Sequence, residues 1–187
     1  PHNAASRVLP AAKWLALLRS RQLLDRDSFP STGGWAYPGG AMDPTVEANL
    51  SATAYAVCAL ADAGTPPTDA ALTGALAFVL RCRDADGGFR FGATDTVDNK
   101  AGIGIAYGTT TADGLRAMLA CGLPPGDPRV RKTVKWLQDR FDPAQVSGDF
   151  TAAREPMRNA NYFYYTAALS DGFTRAGVPS RQWAGAI

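Results

Sequence analysis

The chain has almost no histidine and little cysteine. Its one histidine is His2, and Cys58, Cys82 and Cys121 show no C-x-x-C spacing. A catalytic zinc ion normally takes three protein ligands, so these residues assemble no zinc site, and neither a metal nor another cofactor is expected. Long apolar runs are missing too: no stretch approaches the length of a bilayer span, and no signal-peptide pattern is present. A strong excess of charge is also lacking, and a net charge of +2 over 187 residues gives no case for nucleic acid. Strand-type alternation is confined to scraps such as Phe89-Arg90-Phe91, too short to build a sheet. These absences lead to the expectation of a soluble helical protein. Three cysteines without a pairing pattern favour a reducing, cytoplasmic setting.

What the chain does have is repetition. Gly33-Gly34-Trp35-Ala36-Tyr37 is answered by Gly87-Gly88-Phe89-Arg90-Phe91, 54 positions on (87 − 33). Gly64, Gly122 and Gly177 close three apolar segments at intervals of 58 and 55 (122 − 64, 177 − 122). A fixed period of this length means stacked supersecondary units, here covering about 11–64, 69–122 and 127–177 of a single domain spanning 1–187. Each unit opens with an amphipathic segment, such as Trp14, Leu15, Leu17 and Leu18 with Lys13 and Arg19 off the stripe. A second segment, 51–63 in the first unit, is apolar on nearly every face. The pattern reads as a half-exposed outer helix followed by an enclosed inner one. It recurs as 70–83 with 110–121 and as 130–141 with 161–176, with Phe78 and Trp136 in the place of Trp14. The closing glycines suit left-handed helix ends and prolines follow each of them. Asp127 before Pro128, and Thr68 or Asp69, suit helix N-caps. The fold class is all-α.

At these residues the chain resembles the prenyltransferase and squalene-oxidase repeat family, which includes squalene–hopene cyclases and protein prenyltransferase β-subunits. The likeness runs from about Trp14 to Trp183 and is carried by the two Gly-Gly-aromatic turns, Asp84-Ala85-Asp86-Gly87-Gly88-Phe89, Ala106-Tyr107-Gly108-Thr109-Thr110-Thr111 and Tyr162-Phe163-Tyr164-Tyr165. It implies an α/α toroid, a double ring of helices, of which about three helical hairpins are present. Arg83 and Phe89 stand where the family more often has Gln and Trp, which implies a weaker tie between outer helices. The cyclases' acidic motif, which protonates an alkene, is absent: Asn49-Leu50-Ser51-Ala52 occupies its place. Asp43 and Glu47 lie upstream at the wrong spacing, and Asp95-Thr96-Val97-Asp98-Asn99 is a loose echo. The prenyltransferase zinc site is missing for the reasons given above.

What remains is a cavity. In such a toroid the inner helices point their N-termini, with free N–H groups and positive dipole ends, at one mouth. The residues expected to form a ligand site there are Asn49, Ser51, Tyr55, Tyr107, Thr109, Asp113, Asn161, Tyr162, Tyr164 and Tyr165, with Tyr107 and Asn161 the preferred cavity-facing pair. An aromatic, hydroxyl-rich lining suits a long apolar ligand with a small polar end, of polyprenyl or terpenoid type under the resemblance. The alternatives are a cyclase-type isomerase whose acid lies outside these residues, and a noncatalytic repeat scaffold for protein partners. The basic cluster Arg129, Arg131, Lys132, Lys135 and Arg140 falls on an outer helix and reads as a solvated face. Three hairpins make about half a ring with uncapped ends, so the expectation is a piece of a longer polypeptide or closure by self-association.

Overall fold

The computed structural model describes residues 10–24, 30–37 and 47–185. Six α-helices stand among them: α1 (Ala11–Ser20), α2 (Leu50–Asp62), α3 (Ala70–Arg81), α4 (Gly108–Ala120), α5 (Pro128–Asp139) and α6 (Tyr162–Arg175). Short 3-10 turns cover Glu155–Asn161 and Ser180–Gln182. The described residues contain no strand, only the isolated bridges Arg83 to Phe89 and Tyr107 to Gly148. The all-α expectation therefore holds. His2 and Asp43 lie outside the described residues.

Capping explains the helix limits. Asn49 accepts from the Ala52 N–H at 2.8 Å and starts α2, Asp69 accepts from Ala71 at 2.9 Å and starts α3, and Asp127 accepts from Arg129 at 2.8 Å ahead of Pro128. α4 begins at Gly108, two residues before its sequence limit, because Tyr107 is extended and Gly108 donates to the Ser147 carbonyl at 2.6 Å. Gly64, Gly122 and Gly177 end the inner segments at φ of +84°, +93° and +72°, a region open to glycine at little cost.

Helices α2, α4 and α6 lie side by side with α4 in the middle; α3 packs on α2 and α4, and α5 on α4. Burial follows this order. Twelve of the thirteen residues of α4 are buried, whereas α1 buries none. The outer helices seat Phe78 and Trp136 in the core, but Trp14, at the matching place on α1, is 52% exposed. The inner helices at the two ends of the row are not enclosed all round, as their sequence suggests. Tyr55 and Ala59 on α2, and Phe163 and Ala167 on α6, form exposed i, i+4 stripes. Among the described residues, each of these helices has an inner-row neighbour, α4, on one side only.

The Gly-Gly-aromatic turns lock outer helices to inner ones. In the first, the Trp35 N–H donates to Thr53 Oγ1 on α2 (2.9 Å) and the Trp35 indole to the Leu18 carbonyl on α1 (2.7 Å). In the second, the Phe89 N–H donates to Thr111 Oγ1 on α4 (3.1 Å). There Thr133 Oγ1 reaches the Gly87 carbonyl and the Trp136 indole reaches Asp86 Oδ2 from α5, at 2.9 and 2.8 Å. In this second turn, where Arg83 and Phe89 stand in place of Gln and Trp, Asp86 and Trp136 make the contact with the outer helix. The turns also admit the outer rings only because they carry no side chain: a Cβ on Gly34 would lie 2.9 Å from Phe78, and one on Gly88 would lie 2.8 Å from the Trp136 nitrogen. Gly148, at a φ of +116°, packs on Tyr107; the Gly-Gly-aromatic pattern does not identify it.

Two outcomes test this packing. A Cβ on Gly114 would stand 2.4 Å from the buried Phe89 ring, while Gly126 meets nothing within 4 Å. Gly114→Ala should lower unfolding free energy by about 1–3 kcal/mol, and Gly126→Ala should be neutral or stabilising by under about 1 kcal/mol, both read from urea midpoints. Burial pushes the thiol of Cys58 up to about 11 and those of Cys82 and Cys121 up to about 12. The reactive form is the thiolate, so a disulfide reagent near pH 8 should label the three slowly in native protein and rapidly in denaturant.

Candidate functional site

A carboxylate and a guanidinium sit in the middle of the inner row. Asp113, on α4, has no exposed surface, and a buried charge needs a counter-charge and hydrogen-bond partners. It has both. Arg116, one turn on, donates from Nε at 3.1 Å and pairs through a terminal nitrogen at 2.9 Å with Oδ1. Ser51 Oγ from α2 donates to Oδ2 at 2.6 Å, and the Tyr164 hydroxyl from α6 lies 3.0 and 2.9 Å from the two oxygens. One carboxylate thus joins three helices. Burial pushes the Asp113 carboxyl above the ordinary carboxylate range, against the opposing pull of Arg116, Ser51 and Tyr164. Burial, reinforced by the Asp113 charge, likewise raises the Tyr164 phenol. Arg116 also lies over the Tyr55 ring at 4.5 Å, and Tyr55 meets Tyr164 with ring centres 5.9 Å apart.

Above this cluster opens a cavity of ≈ 380 Å³. Ser51 from α2, Tyr107 and Thr109 from the start of α4, Asn161 and Tyr164 from the start of α6, and Tyr37, Phe91 and Met157 form its wall with Asp98, Asn99, Lys100 and Arg154. Asn99 is committed to the loop, since its amide donates to the Ile105 carbonyl and accepts from Ala101 and Gly102. Arg154 is paired with Asp98 at 2.5 Å. Tyr37 also borders a second, largely apolar groove of ≈ 550 Å³ between α1 and α2, which contains Trp14, Leu17, Trp35, Tyr55 and Ala56. A polar chamber and an apolar groove therefore share one tyrosine.

Of the ten residues selected from sequence, Ser51, Tyr107, Thr109, Asn161 and Tyr164 border the polar cavity; Asp113 lies behind Ser51 and Tyr164, and Tyr55 borders the apolar groove. The other three are used by the fold. Asn49 is the cap of α2, the Tyr162 hydroxyl donates to the Pro143 carbonyl, and Tyr165 is wholly buried with its hydroxyl 2.9 Å from Ser147 Oγ. Each of these three spends its polar atom on a backbone or core partner, which sequence position cannot reveal. Arg116 and Lys100 were not among the selected residues. A signal for Arg116 exists: Asp113 and Arg116 stand one turn apart as the only charged residues of 108–120, at a spacing that lets them pair.

Among the described residues no three His, Cys, Asp or Glu side chains cluster to hold a metal ion, and no helix is long and apolar enough to cross a membrane. Compared with protein-family models, with curated proteins and with solved structures, the chain matches none.

Removing one partner of a buried pair leaves the other uncompensated. Asp113→Ala should cost about 3–5 kcal/mol, whereas replacing both charges, as in Asp113→Ala with Arg116→Met, should recover more than half of that loss. Chemical denaturation of the single and double variants measures both.

Proposed function

We propose that the chain is a three-hairpin part of an α/α toroid of the prenyltransferase and squalene-oxidase repeat type. In this reading it binds a long apolar ligand of polyprenyl or terpenoid kind with one polar end. The observation that carries it is the convergence of Ser51, Tyr107, Thr109, Asn161 and Tyr164, from three helices distant in sequence, on one cavity that adjoins an apolar groove at Tyr37. The side-by-side order of α2, α4 and α6, with α3 and α5 across them, is what a segment of a double ring requires. The volumes lie in the range of small-molecule sites, which combine apolar walls with a few polar groups that orient the ligand. Aromatic rings supply buried area along the chain, and hydroxyl and amide groups select its end.

Asp98, in the cavity wall, is paired with Arg154, and Asp113, behind the wall, is engaged by Arg116 and two hydroxyls. Asp113 is a structural anchor in this reading, and the role of the protein is binding.

A ligand that binds the folded state alone stabilises it by mass action, by about 2.7 kcal/mol at a hundred times its Kd. Polyprenyl alcohols of several chain lengths should therefore raise the Tm. Asn161→Ala and Tyr107→Ala should reduce that shift, and Arg131→Ala on the outer face should leave it unchanged, each compared with its own unliganded Tm. Absence of a shift with every chain length would replace this reading with that of a protein-binding scaffold.

A further inference from the structure

We propose that the floor of the polar cavity holds a carboxylate, so that the ligand is a long apolar acid; this rests on the ligand-binding reading above. Ser51, Thr109 and Tyr164 occupy one level of the inner row, each 13 residues before its closing glycine (64 − 51, 122 − 109, 177 − 164). All three border the cavity. Two of these hydroxyls already hold a carboxylate: Ser51 and Tyr164 donate to Asp113 at 2.6 and 2.9 Å. The middle one does not. Thr109 is 2% exposed, and its Oγ1 is buried with no hydrogen-bond partner among the described residues.

The repeat explains the orphan. Ser51 finds its acceptor on the next inner helix, at the position nine before the closing glycine (122 − 113), and on α6 that position is Ala168 (177 − 168). Thr109 thus repeats the donor while the chain omits the acceptor. A buried hydroxyl left unpaired costs free energy, and an acceptor brought by a ligand removes that cost. The first turn of α4, where Thr109 stands, adds the positive end of the helix dipole.

Charge fixes the class of acceptor. Around the cavity Arg154 is matched by Asp98, and behind it Arg116 is matched by Asp113. Lys100 borders the cavity with no ion pair among the described residues. One unmatched ammonium balances a single negative charge. It suits a carboxylate better than a neutral alcohol, which leaves it unpaired, or a diphosphate, which brings excess charge.

Titration calorimetry of the whole chain with farnesoic acid, farnesol and farnesyl diphosphate tests this. The acid should bind at least about tenfold tighter than the alcohol and tighter than the diphosphate. Thr109→Val and Lys100→Met should each weaken the acid by about tenfold and weaken the alcohol by a smaller factor. Thr109→Val should also raise the Tm of the unliganded protein, because it removes an unpaired buried hydroxyl without changing the shape of the side chain. Equal affinities for acid and alcohol, tightest binding of the diphosphate, or a lower Tm for unliganded Thr109→Val would each overturn the carboxylate site while leaving the apolar-ligand reading in place. No binding of any of the three would overturn both.

Discussion

The arrangement of the inner helices depends on one buried carboxylate. Asp113 is removed from water on the central helix, where a charge is tolerated only if donors surround it. Two of those donors come from other helices: Ser51 sets the height of α2 against α4, and Tyr164 sets the height of α6. Apolar contacts alone are non-directional and tolerate sliding, whereas hydrogen bonds of under 3 Å to shared oxygens do not. The level at which the three hydroxyls meet the cavity follows from this constraint. Helix packing and the cavity floor are therefore built from the same side chains.

The glycine turns play the corresponding part between layers. Gly34 and Gly88 leave room for Phe78 and Trp136, and the backbone N–H groups of Trp35 and Phe89 are taken up by threonines on the inner helices. Each turn thus satisfies a buried donor and seats an aromatic ring of an outer helix. α1 shows the effect of partial engagement. The Trp35 indole reaches its Leu18 carbonyl, yet the helix buries no residue and the apolar groove lies between it and α2.

The cavity draws its character from an imbalance among the polar groups of α2, α4 and α6. Ser51, Thr109 and Tyr164 each bring a hydroxyl to the cavity, but the carboxylate that answers two of them stands on α4 alone. The polar surface near the start of α4 thus holds a buried hydroxyl without a partner among the described residues, next to a largely apolar groove. That juxtaposition, more than any single residue, gives the site its amphiphilic character.

Helix number and helix order were legible in the sequence, because a 3.6-residue period, capping Asn and Asp residues and left-handed glycines act within a few residues of one another. Which side chains face the cavity was legible in part. Ser51, Thr109 and Tyr164 follow from the repeat register, but Tyr162, Tyr165 and Asn49 carry the same chemistry and point it at the Pro143 carbonyl, Ser147 and the Ala52 N–H. Composition cannot separate the two groups, since the choice depends on partners 3 to 19 residues away. Tertiary structure alone decided that Asp113 would be enclosed by residues 51 to 62 positions distant. It also decided that Thr109 would be buried without a partner. Local periodicity fixes helices because their bonds close within four residues; the state of a buried charge is fixed only when distant donors are brought around it.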